Sequence, residues 1–291
     1  MRRDNSHFMV LDEQLSLLVE AALKEDIGDG DHSTLSCIPT GARGKAVLKI
    51  KQDGILAGIA IAEKIFKMRD NSSVFTAFKH DGDHMKSGET AFEVESSVHT
   101  ILNVERLVLN TMQRMSGIAT LTREYSSKLE GFSSKILDTR KTTPNFRLLE
   151  KEAVRIGGGY NHRMGLYDMI MLKDNHIDYA GGLEKAIEKA WLYVQNVKPG
   201  LKIEVETRSI DEVKRVVSFG KVNRIMLDNF TPELINEALV IIDKKFETEA
   251  SGGINLDNIR DYAATGVDYI SVGALIHQAR SLDLSLKAVS L

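Results

Sequence analysis

Only one cysteine occurs in the 291 residues. Cys37 alone can form neither an intramolecular disulfide nor a cysteine-rich zinc site, and a chain so poor in thiols suits a reducing compartment. Hydrophobic runs are short, and none approaches the roughly 20 residues that a membrane helix requires. The N-terminus, MRRDNSHFMVLDEQ, has two arginines but lacks the apolar core of a signal peptide. A soluble, unprocessed, cytoplasmic protein is therefore expected. Charge of one sign is also scarce. A net charge of −3 gives no global attraction to nucleic acid, so any polyanion site must be local. Few prolines (4) and a 43% hydrophobic composition argue against disorder and leave room for a large core, alone or with a smaller one.

What is present falls into two textures. Residues 10–25 place Leu11, Leu15, Leu18, Val19 and Ala22 at helical spacing before EDIGDGDHST breaks the pattern. From 43 to 100 the runs AVLKI, GILAGIAI, SVFTAF and TAFEVES read as strands of a small, largely β unit. DGDHMKSGET is a plain turn, because it lacks the methionine-lysine pair flanked by hydrophobes of a lipoyl or biotinyl carrier. Residues 99–130 are mostly helix, with Leu102, Leu109, Met112, Met115, Ala119 and Tyr125 on the apolar stripe and Gly117 a potential break.

After that helix a unit of strand, turn and amphipathic helix recurs at a spacing of roughly 25 residues. The strand runs are KILDTR, MIMLKDN, KIEVETR, RIMLDNF, FETEASGG and YISVGAL; LEKAIEKAWLYV, SIDEVKRVVSF, PELINEALVII and LDNIRDYAATG supply helices between them. This alternation implies a parallel sheet with crossover helices, and six strands in succession favour a β/α barrel. Each strand ends in residues that structure alone does not need: Lys141, Lys173, Glu206, Asp228, Ser251-Gly252-Gly253 and Gly273. In such a barrel these ends share one mouth, where catalytic groups collect.

The charges indicate the ligand. Arg140, Lys141, His162, Arg163 and Lys173 face only Glu206 and Asp228, and unpaired cations in a partly desolvated mouth are costly unless an anion joins them. Two carboxylates at neighbouring strand ends suit Mg²⁺, directly or through water, together with ligand phosphates. Without metal they read as salt-bridge partners of Lys141 and Lys173. The glycines of SGG and VGA let backbone N–H groups approach a phosphate near a helix N-terminus. Arginine forks also match planar carboxylates, which points to a second, carboxylated substrate.

DTRKTTP, LLEKEAVRIGGGYNHRMGLYDMIMLKDNHI, ERLVLNTMQRMSGIAT, IMLDNF, ASGGINLDNI and GVDYISVGAL together resemble the quinolinate phosphoribosyltransferases, also called carboxylating nicotinate-nucleotide pyrophosphorylases. The resemblance runs over nearly the whole chain. It implies an α/β protein: an N-terminal α/β sandwich over 1–115, an open or incomplete β/α barrel over 116–275, and a C-terminal segment, 276–291, packing back on the first domain. It also implies phosphoribosyl transfer from 5-phosphoribosyl 1-diphosphate to quinolinate with decarboxylation, in NAD biosynthesis. In similar enzymes Arg140, Arg163, His162 and Lys173 surround the ring carboxylates, and Lys141, Lys173, Glu206 and Asp228, the catalytic set, lie around the phosphoribosyl group. Ser251, Gly252, Gly253 and Gly273 lie near the 5′-phosphate, with Thr139, Val272 and Ala274 among the substrate-binding residues. Mg²⁺ is implied as cofactor, and a homodimer or higher even oligomer in which Arg106 enters the neighbour's site.

Departures from the family pattern are few. Asn145 stands where glycine is usual, and Ile276 and Gln278 replace small polar residues. His176 and Cys37 are taken as structural, Gly157-Gly158-Gly159 as a mobile loop. The alternatives are a Schiff-base aldolase using Lys141 or Lys173, a nicotinate phosphoribosyltransferase, and a noncatalytic anion-binding relative.

Overall fold

A computed structural model describes the backbone of residues 5–289 and side chains from residue 13 onward. The chain divides into two compact units, the first comprising residues 1–123, 142–158 and 276–291, the second 124–141 and 159–275.

In the first unit, α1 (Asn5–Ile27) and α2 (His32–Cys37) precede β1 (Arg43–Ile50), β2 (Gly54–Ile55), α3 (Ile59–Arg69), β3 (Val74–Ala77), β4 (His84–Met85) and β5 (Thr90–Ser97). Leu15 and Val19 carry the buried face of α1; the side chain of Leu11 lies outside the described residues. An antiparallel sheet runs in the order β12-β1-β5-β3, with β12 (Leu284–Val289) supplied by the C-terminal segment. Alternation in β1 buries Ala46, Leu48 and Ile50, and Phe92 of β5 packs 4.4 Å from Phe75 and 6.3 Å from Phe66. GILAGIAI is not one strand. Gly58 turns at φ +101, and Asp81 Oδ1 accepts from the N–H groups of Gly58 and Ile59 at 2.6 and 2.8 Å, which starts α3 instead.

The expected boundary at 115 falls inside α4 (Val98–Lys128), an unbroken helix. Gly117 does not interrupt it: a Cβ there would lie 2.0 Å from the Arg280 carbonyl oxygen, so glycine serves close packing. Leu102 departs from the expected stripe and is 40% exposed, whereas Met112, Met115 and Ala119 are fully buried. Residues 142–158, expected in the barrel, belong to the first unit because α5 (Arg147–Ile156) is tied into it. Fully buried Glu150 accepts from Arg114 and from the Thr143 N–H and hydroxyl, while Arg114 also donates to the carbonyls of Ile276 and Ala279. Gly157 is a packing position and not a loop hinge, since a Cβ there would meet the Ala119 carbonyl at 2.5 Å. Asn145 adopts φ +61, the left-handed conformation that asparagine tolerates.

The second unit alternates strand and helix: β6 (Lys135–Leu137), β7 (Ile170–Leu172), α6 (Asp174–Ala180), α7 (Leu183–Asn196), β8 (Ile203–Thr207), α8 (Ile210–Phe219), β9 (Arg224–Asp228), α9 (Pro232–Ile242), β10 (Glu247–Ser251), α10 (Ile259–Ala264) and β11 (Tyr269–Ser271), before α11 (Ala274–His277). The six strands form one parallel sheet in the order β6-β11-β10-β9-β8-β7. Among the described residues no ladder joins β6 to β7, so the barrel is open. Ser209 and Thr231 cap α8 and α9 by accepting from Glu212 and Leu234 N–H groups. Val205, Ile225, Leu227, Ala250 and Ile270, all fully buried, alternate along the strands with a face of another kind: Glu204, Glu206, Arg224, Asp228, Glu249 and Ser251.

Candidate functional site

The parallel order gathers the expected residues at one edge of the second unit. Thr139, Arg140 and Lys141 follow β6, Lys173 follows β7, Glu206 lies near the end of β8, Asp228 ends β9, Ser251 ends β10, and Val272, Gly273 and Ala274 follow β11. His162 and Arg163 follow Tyr160, which bridges in parallel to Leu137 of β6. Arg106 lies in the first unit, on the exposed stripe of α4 with Leu102 and Asn110 and opposite fully buried Val104 and Val108. Its charge is therefore not buried within its own unit.

The contacts at this edge are specific. Lys173 Nζ pairs with Glu206 Oε2 at 2.7 Å. Asp228 accepts from Ser251 Oγ at 2.5 Å and from Asn229 Nδ2 at 2.7 Å, so it is held by neutral donors and not by Lys141. Lys141 is exposed, and its N–H donates to Thr139 Oγ1 at 3.0 Å. Gly252 sits at φ +92, where a Cβ would lie 2.2 Å from Asn229 Oδ1. Only glycine fits that turn. The expected helix N-terminus behind Ser251-Gly252-Gly253 is absent, because α10 begins at Ile259. Gly273 does directly precede α11. The Val272 N–H is already committed to the Leu137 carbonyl at 3.0 Å.

The two arginines stand apart from these pairs. Burial, and then the charge of Arg140, lower the pKa of Arg163. Arg163 Nη1 donates to the Met169 carbonyl at 3.0 Å, but Arg140 Nε is buried with no hydrogen-bond partner.

His162, expected among the substrate-binding residues, makes contacts of its own. It is 8% exposed and both ring nitrogens are engaged: Nδ1 accepts the Arg163 N–H at 2.7 Å, and Nε2 lies 3.0 Å from Glu204 and 3.3 Å from Glu249. The ring thus turns toward the carboxylates of β8 and β10. Glu249 is held in turn by Arg224 Nη1 at 2.9 Å. Although burial alone lowers the His162 pKa, the two carboxylates draw it up to about 9. Nδ1 is occupied as an acceptor, however, so the ring is neutral with its hydrogen on Nε2. Burial, and then Glu249, push Glu204 up to about 7. His162, Glu204 and Glu249 bring possible ligand atoms within 4.8 Å of one another, yet a cation there would meet the Arg224 guanidinium. This cluster is a closed ion network.

Glu204, Glu249, Arg224 and Asp138 escaped the reading of the sequence. The signal was present in the spacing: in KIEVETR and FETEAS acids recur at every second position, which places Glu204 directly below Glu206 on one face of its strand.

An open parallel β/α barrel whose strand ends carry an arginine with a buried, unpartnered Nε, two lysines and a glycine-shaped turn defines the class, a β/α barrel protein with a cationic mouth. Comparison with known proteins makes this specific. Residues 118–287 match the profile of the quinolinate phosphoribosyl transferase C-terminal domain, and residues 31–116 that of its N-terminal domain. The quinolinate phosphoribosyltransferase [decarboxylating] 1b of Nicotiana tabacum is 45% identical over 93% of this chain and 81% of its own. The probable nicotinate-nucleotide pyrophosphorylase [carboxylating] of Bacillus subtilis is 41% identical over 94% of this chain and 93% of its own. The structure of the nicotinate-nucleotide pyrophosphorylase from Francisella tularensis superposes with a TM-score of 0.86 at 37% identity, covering 96% of this chain and 97% of that one. The chain belongs to the quinolinate phosphoribosyltransferase family.

Proposed function

We propose that this chain transfers the phosphoribosyl group of 5-phosphoribosyl 1-diphosphate to quinolinate with loss of CO₂, giving nicotinate mononucleotide and diphosphate for NAD biosynthesis. One observation carries the reading on the side of the site: Arg140 Nε is buried without a partner, and the charge of Arg140 acts on Arg163, whose pKa it lowers. A planar dicarboxylate relieves both costs, because each guanidinium offers a fork of donors to one carboxylate.

The chain's own residues then position and stabilise. The arginines orient the ring so that its nitrogen faces the ribose C1. The C1–O bond to diphosphate breaks as the N–C1 bond forms, and positive charge develops on the sugar. Glu206 and Asp228 stabilise that charge, and Lys141 and Lys173 neutralise the departing diphosphate. The bond from ring carbon to the adjacent carboxylate then breaks, its electron pair stays on the ring carbon beside the cationic nitrogen, and that carbon takes a proton from solvent. No protein nucleophile is required. Ser251, Gly252, Gly253, Gly273 and Ala274 line the place of the 5′-phosphate, with Gly252 keeping the backbone open there. Glu206 and Asp228 offer the hard oxygen donors that Mg²⁺ prefers, directly or through water, and an ion held there would supply positive charge for the leaving diphosphate.

Arg106, exposed on α4, fits a two-fold assembly in which each subunit lends it to the other's mouth. Among the described residues no helix is long and apolar enough to cross a membrane, and a cytoplasmic location agrees with the thiol-poor composition.

The test is turnover of quinolinate against nicotinate with phosphoribosyl diphosphate and Mg²⁺, following released CO₂ and nucleotide. Quinolinate alone should turn over efficiently. Equal turnover of nicotinate would reject the carboxylating reaction, and binding of either without turnover would favour a noncatalytic relative.

A further inference from the structure

The described residues contain a second charged layer, below the strand ends, to which the reaction gives no direct part. Asp138, fully buried just before Thr139 and Arg140, accepts from the His162 backbone N–H at 2.9 Å and from Asn161 Nδ2 at 2.5 Å. It ties the segment bearing Arg163 to the segment bearing Arg140. The imidazole of His162 then makes the next link, accepting the Arg163 N–H while its Nε2 is directed at Glu204 and Glu249. Both carboxylates are fully buried, and Arg224 fixes the second of them.

We propose that Glu204 and Glu249 are positioning residues that act through His162 to hold Arg163 beside Arg140. Two guanidiniums left to themselves separate, because their repulsion is unscreened where water is excluded. Here the peptide N–H of Arg163 is tied to a ring that cannot rotate without giving up a carboxylate contact inside the barrel. The carboxylates also lie on the strands themselves, on β8 and β10, so the anchor is as rigid as the sheet. The inference rests on the proposed function only in naming an aromatic 1,2-dicarboxylate as the ligand the paired arginines fit.

The test has one arm without ligand and one with it. In the free protein, amide exchange at Arg163 should accelerate at least about tenfold in Glu204→Leu and return to within about threefold of wild type in Glu204→Gln, whose amide oxygen still accepts from Nε2. Unchanged exchange in Glu204→Leu would overturn the proposal. If that variant does not fold, His162→Phe carries the same comparison. In the second arm, binding of the unreactive phthalate is measured by calorimetry in a double-mutant cycle. Glu204→Leu should weaken phthalate at least about tenfold when Arg163 is present and less than about twofold when Arg163→Met is already in place. Equal losses in both backgrounds would mean that Glu204 does not act through Arg163, and would overturn the proposal. Failure of the wild type to bind phthalate would count against the quinolinate reading, while the exchange arm still decides the positioning role.

Discussion

Arg140→Met should make the free protein more stable and the enzyme nearly inactive. The side chain keeps its length and apolar packing but loses its charge and its donors. Two costs disappear together. An unsatisfied buried N–H such as Arg140 Nε costs about 1–3 kcal/mol. Repulsion between Arg140 and Arg163 is relieved as well. A net gain of about 1–3 kcal/mol is expected, which at about 2 °C per kcal/mol for a chain of this size is a rise in Tm of about 2–6 °C. Adding phthalate at about a hundred times its Kd should reverse the order, since ligand contributes about 2.7 kcal/mol to wild type and far less to a variant that lacks one fork. Loss of the charge-assisted pair from the transition state, about 3 kcal/mol, lowers kcat/KM at least about a hundredfold. Calorimetry with and without phthalate reads both effects. A free Arg140→Met that melts below wild type, with its circular dichroism unchanged, would show that Arg140 is satisfied in solution and that the mouth is not poised for an anion.

Three further outcomes are expected. Arg106→Ala and Lys141→Ala, each nearly inactive alone, should recover roughly a quarter of wild-type activity when co-refolded in equal amounts, because half the dimers are mixed and each holds one intact site; mixed dimers confirmed by mass spectrometry but without activity would reject the shared site. Gly117→Ala, which in most helix interiors stabilises, should here cost about 1–3 kcal/mol because the added Cβ meets the Arg280 carbonyl at 2.0 Å, and a raised Tm would refute that packing. Glu184, whose pKa the Arg215 side chain lowers from 4.5 to about 2, adds stability that is complete above about pH 4.5 and is lost as pH falls through about 2, so the unfolding curves of Glu184→Gln and wild type should differ at pH 6 and converge near pH 2.

The sequence exposed the second unit more fully than the first, for a physical reason. Each of KIL, IML, IEVET, RIMLD, ETEAS and YIS forms a strand, and each predicted crossover helix forms, because a strand covered on one face by helices must be apolar there and its helix must be amphipathic. In the first unit GILAGIAI is apolar at every position and fits either period; a turn at Gly58 and a carboxylate at Asp81, distant in sequence, decide for a helix. Gly117 looked like a break for the same reason, since its partner is the C-terminal segment. The division of the chain was similarly hidden: Glu150, which belongs to the helix after DTRKTTP, finds its partner Arg114 far upstream.

At the mouth, residue type and position at a strand end were enough to nominate Lys173, Glu206, Asp228 and Ser251, and their contacts with one another lie along that edge. Residue type nominated His162 as well, but it carries no information on which way the ring turns. Orientation is set by what lies on the neighbouring strands: Nε2 of His162 lies 3.0 Å from Glu204 on β8 and 3.3 Å from Glu249 on β10. The cation cluster that first suggested an anion is thus two layers: Arg140, Lys141, Arg163 and Lys173 lie at or after the strand ends, while the His162 ring and Arg224 contact the buried carboxylates of the strands beneath.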